Sequence, residues 1–97
     1  MEFEVPTVYV GKKNMTFYLN VCLKLLDRGY KKLIIEAMGN NISKAVNVAN
    51  FLKELYGREN IVFNEIKIDL VEGENIRGVP RKISRIRIHV TDISGEK

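Results

Sequence analysis

Residues 32–46 read KLIIEAMGNNISKAV, and this segment constrains the fold most because its pattern joins a strand, a turn and a helix. Residues 33–35 are consecutive aliphatic side chains, which predicts a buried β-strand. Gly39 then interrupts the pattern, and Asn40 or Asn41 is suited to cap the helix that follows. A strand that turns directly into a helix is half of a crossover unit, and such a unit normally returns the chain as a parallel strand.

The same arrangement occurs earlier in the chain. Residues 7–10 form a short run rich in β-branched and aromatic side chains that ends at Gly11. Asn14 is then suited to cap a helix that closes at Gly29. The chain therefore contains two strand-to-helix turns in succession.

After the second helix, apolar and polar side chains alternate over residues 66–70 and 85–90. This pattern predicts a hairpin with a loop from about Glu72 to Lys82. The order βαβαββ indicates an α/β domain of the two-layer α+β kind, in which two helices pack on a mixed four-stranded sheet and the hairpin extends as an arm. We expect strands one, two and three to be parallel and residues 1–97 to form a single domain.

The charge of the chain is distributed unevenly. Sixteen Lys and Arg against twelve Asp and Glu give a net charge of +4. No acidic residue occurs within residues 5–26, 37–53 or 75–91, although each of these segments contains basic residues. Three segments therefore contain basic residues and no acidic ones. This distribution indicates an anionic partner more strongly than the total charge does.

The composition argues against an enzyme. Cys22 and His89 are the one cysteine and the one histidine, so a disulfide within the chain and a cysteine-based metal cluster are excluded. Neither the G-x-x-x-x-G-K-[ST] spacing of a phosphate-binding loop nor G-x-G-x-x-G follows a predicted strand. No apolar run approaches the roughly 20 residues of a membrane span, and no signal peptide is indicated. We expect no reaction, metal, cofactor or membrane partner, and a cytoplasmic protein.

Both strand-to-helix turns are suited to hold anions. The first N–H groups of a helix have no partner within the helix and carry partial positive charge, which attracts phosphate. Because parallel strands end at the same edge of the sheet, both turns and the hairpin loop are expected there together. The candidate nucleic-acid contacts are Lys12, Lys13, Asn40, Asn41, Lys44, Arg77, Arg81, Lys82 and Arg85. Ordinary solvated charges and a mobile loop are the alternatives.

The second helix, which reaches about Tyr56, has more apolar surface than one side of a small core needs. Its apolar arc covers on the order of 220°, whereas about 100° is enough for a surface helix. The helix is either sunk deeply in its own core or presents a face for self-association, and we favour a dimer. The candidate interface residues are Val48, Phe51, Leu55 and Tyr56.

Several segments resemble the Alba family of small archaeal chromatin proteins. They are VYVGKK at residues 8–13, followed by Tyr18, then IIEAMGNNISKAV at residues 34–46 and SRIRI at residues 84–88. The resemblance covers nearly the whole chain. It implies a homodimer that binds double-stranded DNA, and often RNA, without strong sequence preference. Such a protein coats or compacts DNA at the chromosome, with lysines on the dimer body and hairpin arms along the duplex.

The resemblance also implies roles for individual residues. Lys12 and Lys13 match the lysine pair with which the family binds DNA. Lys12 also matches the lysine whose acetylation is associated with weaker binding in some members, so an acetyltransferase or deacetylase is a candidate partner. Acetylation would remove a charge that pairs with phosphate. Tyr56 falls where many members carry an aromatic residue that helps dimers assemble along DNA.

Two positions depart from the family pattern. The family turn usually reads Ala-Arg-Gly-Arg or Ala-Arg-Gly-Lys, whereas Met38 and Asn40 stand here in place of the two basic residues. This loss predicts weaker or more salt-sensitive DNA binding, or a shift towards RNA or a protein partner; arginine at both positions should tighten binding. One alternative is a ribonucleoprotein subunit, heterodimeric with another Alba-like chain. The other is a small regulatory or enzymatic α/β domain that binds an anionic metabolite at the same edge.

Overall fold

Strands and helices alternate along the first half of this chain in its computed structural model, which describes residues 4–74 and 76–96. The elements are β1 (Thr7–Val10), α1 (Met15–Asp27), β2 (Lys32–Met38), α2 (Ile42–Tyr56), β3 (Ile61–Glu74) and β4 (Pro80–Asp92), with short 3-10 helices at Gly39–Asn41 and Ser94–Glu96. This order confirms the predicted βαβαββ arrangement of two helices and a mixed four-stranded sheet.

The two helices begin differently. Asn14 caps α1 as predicted, because its Oδ1 accepts a hydrogen bond of 3.0 Å from the backbone N–H of Phe17. Asn41 lies at the corresponding position before α2, but its side chain makes no capping hydrogen bond. The predicted side-chain cap is therefore not formed. The chain instead enters α2 through a 3-10 turn that starts at Gly39, where a φ of +55° favours glycine.

The sheet has the strand order β1-β2-β4-β3. β1 and β2 are parallel, and β4 is antiparallel to both of its neighbours, β2 and β3. β1, β2 and β3 therefore run in the same direction, as predicted, and we call the side of the molecule where they end the carboxyl edge. The crossover through α2 places β3 one strand position away from β2. β4, the hairpin partner of β3, occupies the position between them.

The hairpin strands extend further than the sequence indicated. Glu72 pairs with Lys82, and pairing continues beyond them to the ends of both strands. The predicted loop is therefore too long: the connection occupies residues 75–79, of which Asn75 lies outside the described residues. The extension was hidden because backbone pairing in a hairpin does not require the apolar side chains by which the strands were recognised.

Both helices pack on one face of the sheet. Side chains alternate along β2 and β4, so that Leu33, Ile35 and Ile88 face the helices in a continuous apolar core. The largest fully buried side chains are Leu33, Ile35, Leu52, Ile61, Val48, Val90 and Cys22. Burial raises the pKa of the Cys22 thiol to about 12, so this cysteine packs in the core and is not a reactive thiolate.

A buried carboxylate joins the end of α2 to the end of the sheet. Asp92 accepts a hydrogen bond of 3.0 Å from the hydroxyl of Tyr56 and one of 2.9 Å from the backbone N–H of Ser94. Lys31 Nζ lies 3.6 Å from the same carboxylate. Burial alone raises the pKa of Asp92, but the hydrogen bonds from Ser94 and Tyr56 and the charge of Lys31 outweigh it and bring the pKa below its ordinary value.

Asp92 makes the stability of the fold depend on pH. Because its pKa is lower in the folded chain, its contribution is present above the ordinary carboxyl pKa of about 4 and is lost as the pH falls through the lowered value. We expect Asp92→Asn to reduce the free energy of unfolding by about 2 kcal/mol at neutral pH and to flatten its decline in acid. Urea unfolding at about pH 7, 4 and 2 measures both effects.

Tyr56→Phe is the matched control for this prediction. It removes one hydrogen bond and leaves the carboxylate, so it should cost about 1 kcal/mol and keep most of the decline in acid. An Asp92→Asn variant that loses stability in acid as steeply as the wild type would contradict the assignment.

Candidate nucleic-acid interface

The turn between β1 and α1 lies at the carboxyl edge and is held from two sides. Lys44, in the first turn of α2, donates hydrogen bonds from Nζ to the backbone carbonyls of Gly11 (2.6 Å) and Lys13 (2.7 Å). The hydroxyl of the buried Tyr18 accepts a hydrogen bond of 3.1 Å from the backbone N–H of Lys13. The turns after β1 and β2 are therefore in direct contact, and side chains of both helices fix the backbone between Gly11 and Lys13.

Lys44 is bound within the protein. Two of its three N–H donors point at carbonyl oxygens, and Nζ lies 6.0 Å from the ring centre of Tyr18. The sequence suggested Lys44 as a phosphate contact, but the structure commits its amino group to the neighbouring turn. Its charge still contributes to the positive potential of the carboxyl edge. The contact could not be predicted from the sequence because it links residues 33 positions apart.

Replacing Lys44 with methionine tests this arrangement. Hydrogen bonds from a charged donor contribute about 1.5–3 kcal/mol each when buried, so losing two half-exposed ones should reduce the free energy of unfolding by about 2 kcal/mol. Amide hydrogen exchange of residues 11–14 should accelerate about tenfold. Lys53→Met, on the same helix, is the control and should leave this exchange unchanged. Equal protection of residues 11–14 in the two variants would show that Lys44 does not hold the turn.

Lys12 and Lys13 extend from the fixed turn into solvent. Both are exposed, and within residues 4–74 and 76–96 the side chain of Lys12 has no hydrogen bond or ion pair. Lys13 Nζ lies 4.7 Å from the ring centre of Phe17, one turn further along α1. The first turn of α1 contains no acidic residue. An approaching anion therefore meets two lysines and the positive end of the helix dipole, without a carboxylate from that helical turn.

The turn between β2 and α2 presents asparagine amide groups, and its lysine is not free to reach an anion. Asn40 is exposed, Asn41 is half-buried, and Met38 is 46% exposed at the end of β2. The first turn of α2 also contains no acidic residue. This turn can donate hydrogen bonds to an anion, while its lysine, Lys44, serves the turn beside it.

Arg85, another predicted contact, pairs with a carboxylate. Its Nε donates a hydrogen bond of 2.9 Å to Oδ1 of Asp69, and its Nη2 donates one to Oδ2. The hydrogen bond from Arg85 holds the pKa of Asp69 below its usual range. The two residues are directly opposite each other on β3 and β4, a register that the sequence alone did not reveal. Arg85 therefore adds little net charge to the surface.

The hairpin carries the remaining predicted contacts. Arg77, Arg81 and Lys82 are exposed and lie at the carboxyl end of β3, on the same side of the sheet as the two turns. Lys82 is opposite Glu72 in the ladder, whereas Arg81 is opposite Gly73. With its arm the described chain measures 51 × 29 × 19 Å. The hairpin arm therefore carries its basic side chains beyond the rest of the molecule.

A second surface lies where α2 meets β3. Ile66 and Ile68 pair with Ile88 and Ile86, which are buried, and so point to the helix side of the sheet. They are nevertheless 57% and 78% exposed, because β3 is an edge strand that continues past α2. We call this surface the apolar face; it consists of Phe51, Leu55, Ile66, Ile68 and Leu70.

The predicted interface residues divide between this face and the core. Phe51 and Leu55 are 49% and 64% exposed. Val48 is fully buried in the chain's own core, and Tyr56 is half-buried with its hydroxyl on Asp92. The helix is thus deeply packed, as the first interpretation expected, and it also leaves an apolar strip exposed. Self-association through that strip stays a prediction. The alternating apolar residues of β3 were the sequence signal for the rest of the face.

Other kinds of site find no support in the structure. Within residues 4–74 and 76–96, no group of three or more His, Cys, Asp or Glu side chains is placed to hold a metal ion. In the same part of the chain, no helix is long and apolar enough to cross a membrane.

The sequence model of one protein family matches the chain. That family is Alba, and the match covers residues 6–70, which include both strand-to-helix turns. The chain belongs to the Alba family. Membership confirms the resemblance carried by the two turns. It also confirms the expectation that the chain is not an enzyme, because Alba proteins are nucleic-acid-binding proteins without catalytic activity.

Individual Alba proteins are similar to this chain over most of its length. It is 33% identical over 85 residues to the DNA/RNA-binding protein Alba of Nanoarchaeum equitans. The aligned region covers 87% of this chain and 94% of that protein. The corresponding protein of Pyrobaculum islandicum is 31% identical over 84 residues, or 84% and 89% of the two chains.

Solved structures share the same fold. Alba from Thermoplasma volcanium matches with a TM-score of 0.82 and 29% identity over 88% of this chain and 98% of that one. ALBA1 from Trypanosoma brucei matches with a TM-score of 0.71 and 25% identity over 97% and 75% of the two chains. The fold of two helices on a mixed four-stranded sheet is therefore shared with Alba structures.

Proposed function

We propose that this Alba chain binds double-stranded DNA, and also RNA, without sequence preference, and coats or compacts DNA as a chromatin protein. The observation that carries the proposal is the turn with Lys12 and Lys13, which Lys44 and Tyr18 hold on the same side of the sheet as the hairpin arm. The similar proteins of Nanoarchaeum and Pyrobaculum are named as DNA/RNA-binding, which supports the same ligands here.

Binding at the carboxyl edge works through charge and shape. Lys12 and Lys13 each neutralise a phosphate, and the release of condensed counterions supplies much of the affinity. Because the backbone of their turn is already fixed, little ordering entropy is lost on binding. Phosphate contacts set position and orientation but carry no base information, which explains the lack of sequence preference. Arg77 and Arg81 on the arm reach further along the backbone or into a minor groove.

We infer that the chain acts as a homodimer through the apolar face. Each of the five side chains of that face is between 49% and 78% exposed in the single chain. Contiguous apolar area of this kind is typical of a protein interface. A two-fold contact covers the faces of both copies at once, and it also shields the free edge of β3. Such a dimer carries two lysine turns, which we propose contact the same duplex.

Further association of dimers along DNA is part of the same proposal. Tyr56 is half-buried, and its hydroxyl is held by Asp92, so its ring has a fixed position at the end of α2. An aromatic ring in a fixed position can pack against a neighbouring dimer with little loss of side-chain entropy.

Lys12 is the proposed site of regulation. It is exposed on the fixed turn, so a modifying enzyme can reach it. Acetylation would remove its charge and with it one phosphate contact per chain. An acetyltransferase and a deacetylase acting on Lys12 would therefore adjust how tightly the protein is held on the chromosome.

The second candidate function is that of an RNA-binding subunit in a ribonucleoprotein. Met38 and Asn40 favour it, because the turn between β2 and α2 offers amides and a thioether rather than free cations. Amides can bond to the ribose 2′-hydroxyl, which is present only in RNA. In this case the apolar face would pair with a different Alba-like chain to form a heterodimer.

Titration of the wild-type chain into duplex DNA and duplex RNA of identical sequence and length tests both candidates. At about 50 mM salt we expect saturable binding to both, with dissociation constants that do not change when the base sequence is scrambled. DNA bound at least as tightly as RNA supports the chromatin function, whereas a preference of about tenfold for RNA supports the ribonucleoprotein function. No binding to either duplex would overturn both.

A further inference from the structure

We propose that a groove on α1, beside the lysine turn, holds an unpaired nucleobase of RNA stacked on Phe17. The groove has a volume of about 440 Å³ and is lined by Lys13, Asn14, Thr16, Phe17 and Asn20. The proposal rests on the proposed function, since the carboxyl edge must first hold the nucleic acid that brings a base to the groove.

Phe17 is a large apolar side chain in the first turn of α1 that remains partly exposed to solvent. It is 44% exposed, while the adjacent Tyr18 is buried. Lys13 Nζ lies 4.7 Å from its ring centre, and the ring of Tyr18 meets it edge to face with centroids 5.2 Å apart at 87°. Two neighbours thus hold the ring in place while much of its apolar surface stays in water. A fixed, exposed aromatic ring beside basic side chains is the arrangement on which single-stranded bases stack.

The rest of the groove supplies hydrogen-bonding groups. Thr16 and Asn20 are four residues apart on α1 and so lie on the same side of the helix. Both are exposed, and neither side chain has a hydrogen bond within the described part of the chain. Asn14 uses its Oδ1 to cap α1, which leaves its amide N–H groups as donors. A hydroxyl and two amides can both donate to and accept from the edge of a base.

Only an unpaired base can stack on Phe17 in the groove. In a duplex, the faces of each base are covered by its neighbours and its pairing edge is occupied, so a paired base cannot lie on Phe17. Loops and bulges of RNA present bases that are free of both restraints. Lys13, which also lines the groove, is placed to pair with a phosphate of the same strand. The groove therefore adds affinity only when the bound RNA has an unpaired nucleotide near the carboxyl edge.

Affinities for a fully paired RNA duplex and for the same duplex with a single bulged adenosine test the proposal. The wild type should bind the bulged duplex about tenfold more tightly, which is in the range expected for stacking of one base on an aromatic ring. Phe17→Ala should remove this preference and change the affinity for the paired duplex by less than about twofold. Phe17→Tyr should keep the preference.

Tyr9→Ala is the matched control for an exposed aromatic outside the groove. Tyr9 is 68% exposed, and it alternates along β1 with Val8 and Val10, which pack in the core beneath the helices. Its side chain therefore lies on the opposite face of the sheet from α1. The preference for bulged RNA should be unchanged in this variant.

The outcomes separate the groove from the proposed function. Equal wild-type affinities for bulged and paired RNA, or a preference that persists in Phe17→Ala, would overturn the groove and leave the proposed function in place. If the wild type binds neither RNA nor DNA duplexes, the proposed function fails, and adenosine monophosphate then tests the groove alone. Millimolar nucleotide should shift the NMR ring resonances of Phe17 in the wild type but leave those of Tyr9 unchanged; no shift at Phe17 would overturn the groove.

Discussion

The double variant Lys12→Ala/Lys13→Ala is expected to bind duplex DNA on the order of 10³-fold more weakly than the wild type at about 0.1 M salt. A dimer presents this pair twice, so the variant loses four phosphate contacts. Each contact contributes about 0.9 to the slope of log affinity against log salt, which corresponds to roughly eightfold in affinity at this salt concentration. The lysines are exposed, so the loss arises in binding and not in folding. Fluorescence anisotropy with a labelled duplex measures it.

The control for this variant removes the same charge elsewhere. Lys24→Ala/Arg28→Ala changes two exposed basic residues at the opposite end of α1, away from the carboxyl edge. We expect an affinity loss below about threefold, because these charges act only through the long-range potential, which salt screens. Equal losses in the two double variants would mean that net charge, and not the fixed lysine turn, determines binding.

The second large effect is expected from an acidic residue on the apolar face. Ile68→Asp should raise the dissociation constant of the dimer by at least about 10²-fold, because burying an unpaired carboxylate in an apolar contact is strongly unfavourable. Ile68 is 78% exposed in the single chain, so the fold itself should be retained. A monomer carries half of the lysine contacts and should bind duplex DNA roughly 60-fold more weakly. Sedimentation equilibrium gives the oligomeric state.

Ile76→Asp is the control for this variant. Ile76 is fully exposed on the hairpin connection, away from the apolar face. The same chemical change there should leave the dimer intact, and circular dichroism should show unchanged secondary structure in both variants. An Ile68→Asp protein that remains dimeric would place the interface on another surface.

Local signals in the sequence were enough to predict most of the elements. The cap at Asn14, the break at Gly39 and the change from helical to alternating spacing depend on neighbouring residues, and the structure places them as expected. The direction of β3 also followed from chain connectivity, because a crossover through a helix returns the chain in the same direction. These features need no knowledge of which distant residues meet.

Contacts between distant residues could not be predicted in the same way. The position of β4 between β2 and β3 depends on a gap that α2 leaves, and its register sets Asp69 opposite Arg85. Lys44 looked like a free cation in the sequence, and only the fold brings the carbonyls of Gly11 and Lys13 to its amino group. The burial of Val48 likewise depends on how far α2 sinks into the sheet.

The structure brings the predicted contacts to the edge of the sheet where they were expected, whereas their binding role stays a prediction. Exposed lysines on a strand-to-helix turn favour an anion site by their position alone, which is why Lys12 and Lys13 were predicted as contacts. The apolar face was only half recognised. The apolar side chains of α2 cover a wider arc than a surface helix needs, which indicated its part of the face. The apolar side chains of β3 look like those of an ordinary strand, and only the structure shows that this strand extends past the helix.

The most direct test of the central proposal is the salt dependence of wild-type binding to duplex DNA. A dimer that places Lys12 and Lys13 of both chains on phosphates should give a slope of log affinity against log salt of about −3.6, and steeper with arm contacts added. This slope should become shallower by about 3.6 in Lys12→Ala/Lys13→Ala. A wild-type slope shallower than about −1, or one that the double variant does not change, would contradict the proposal that the lysine turn is the phosphate-binding surface.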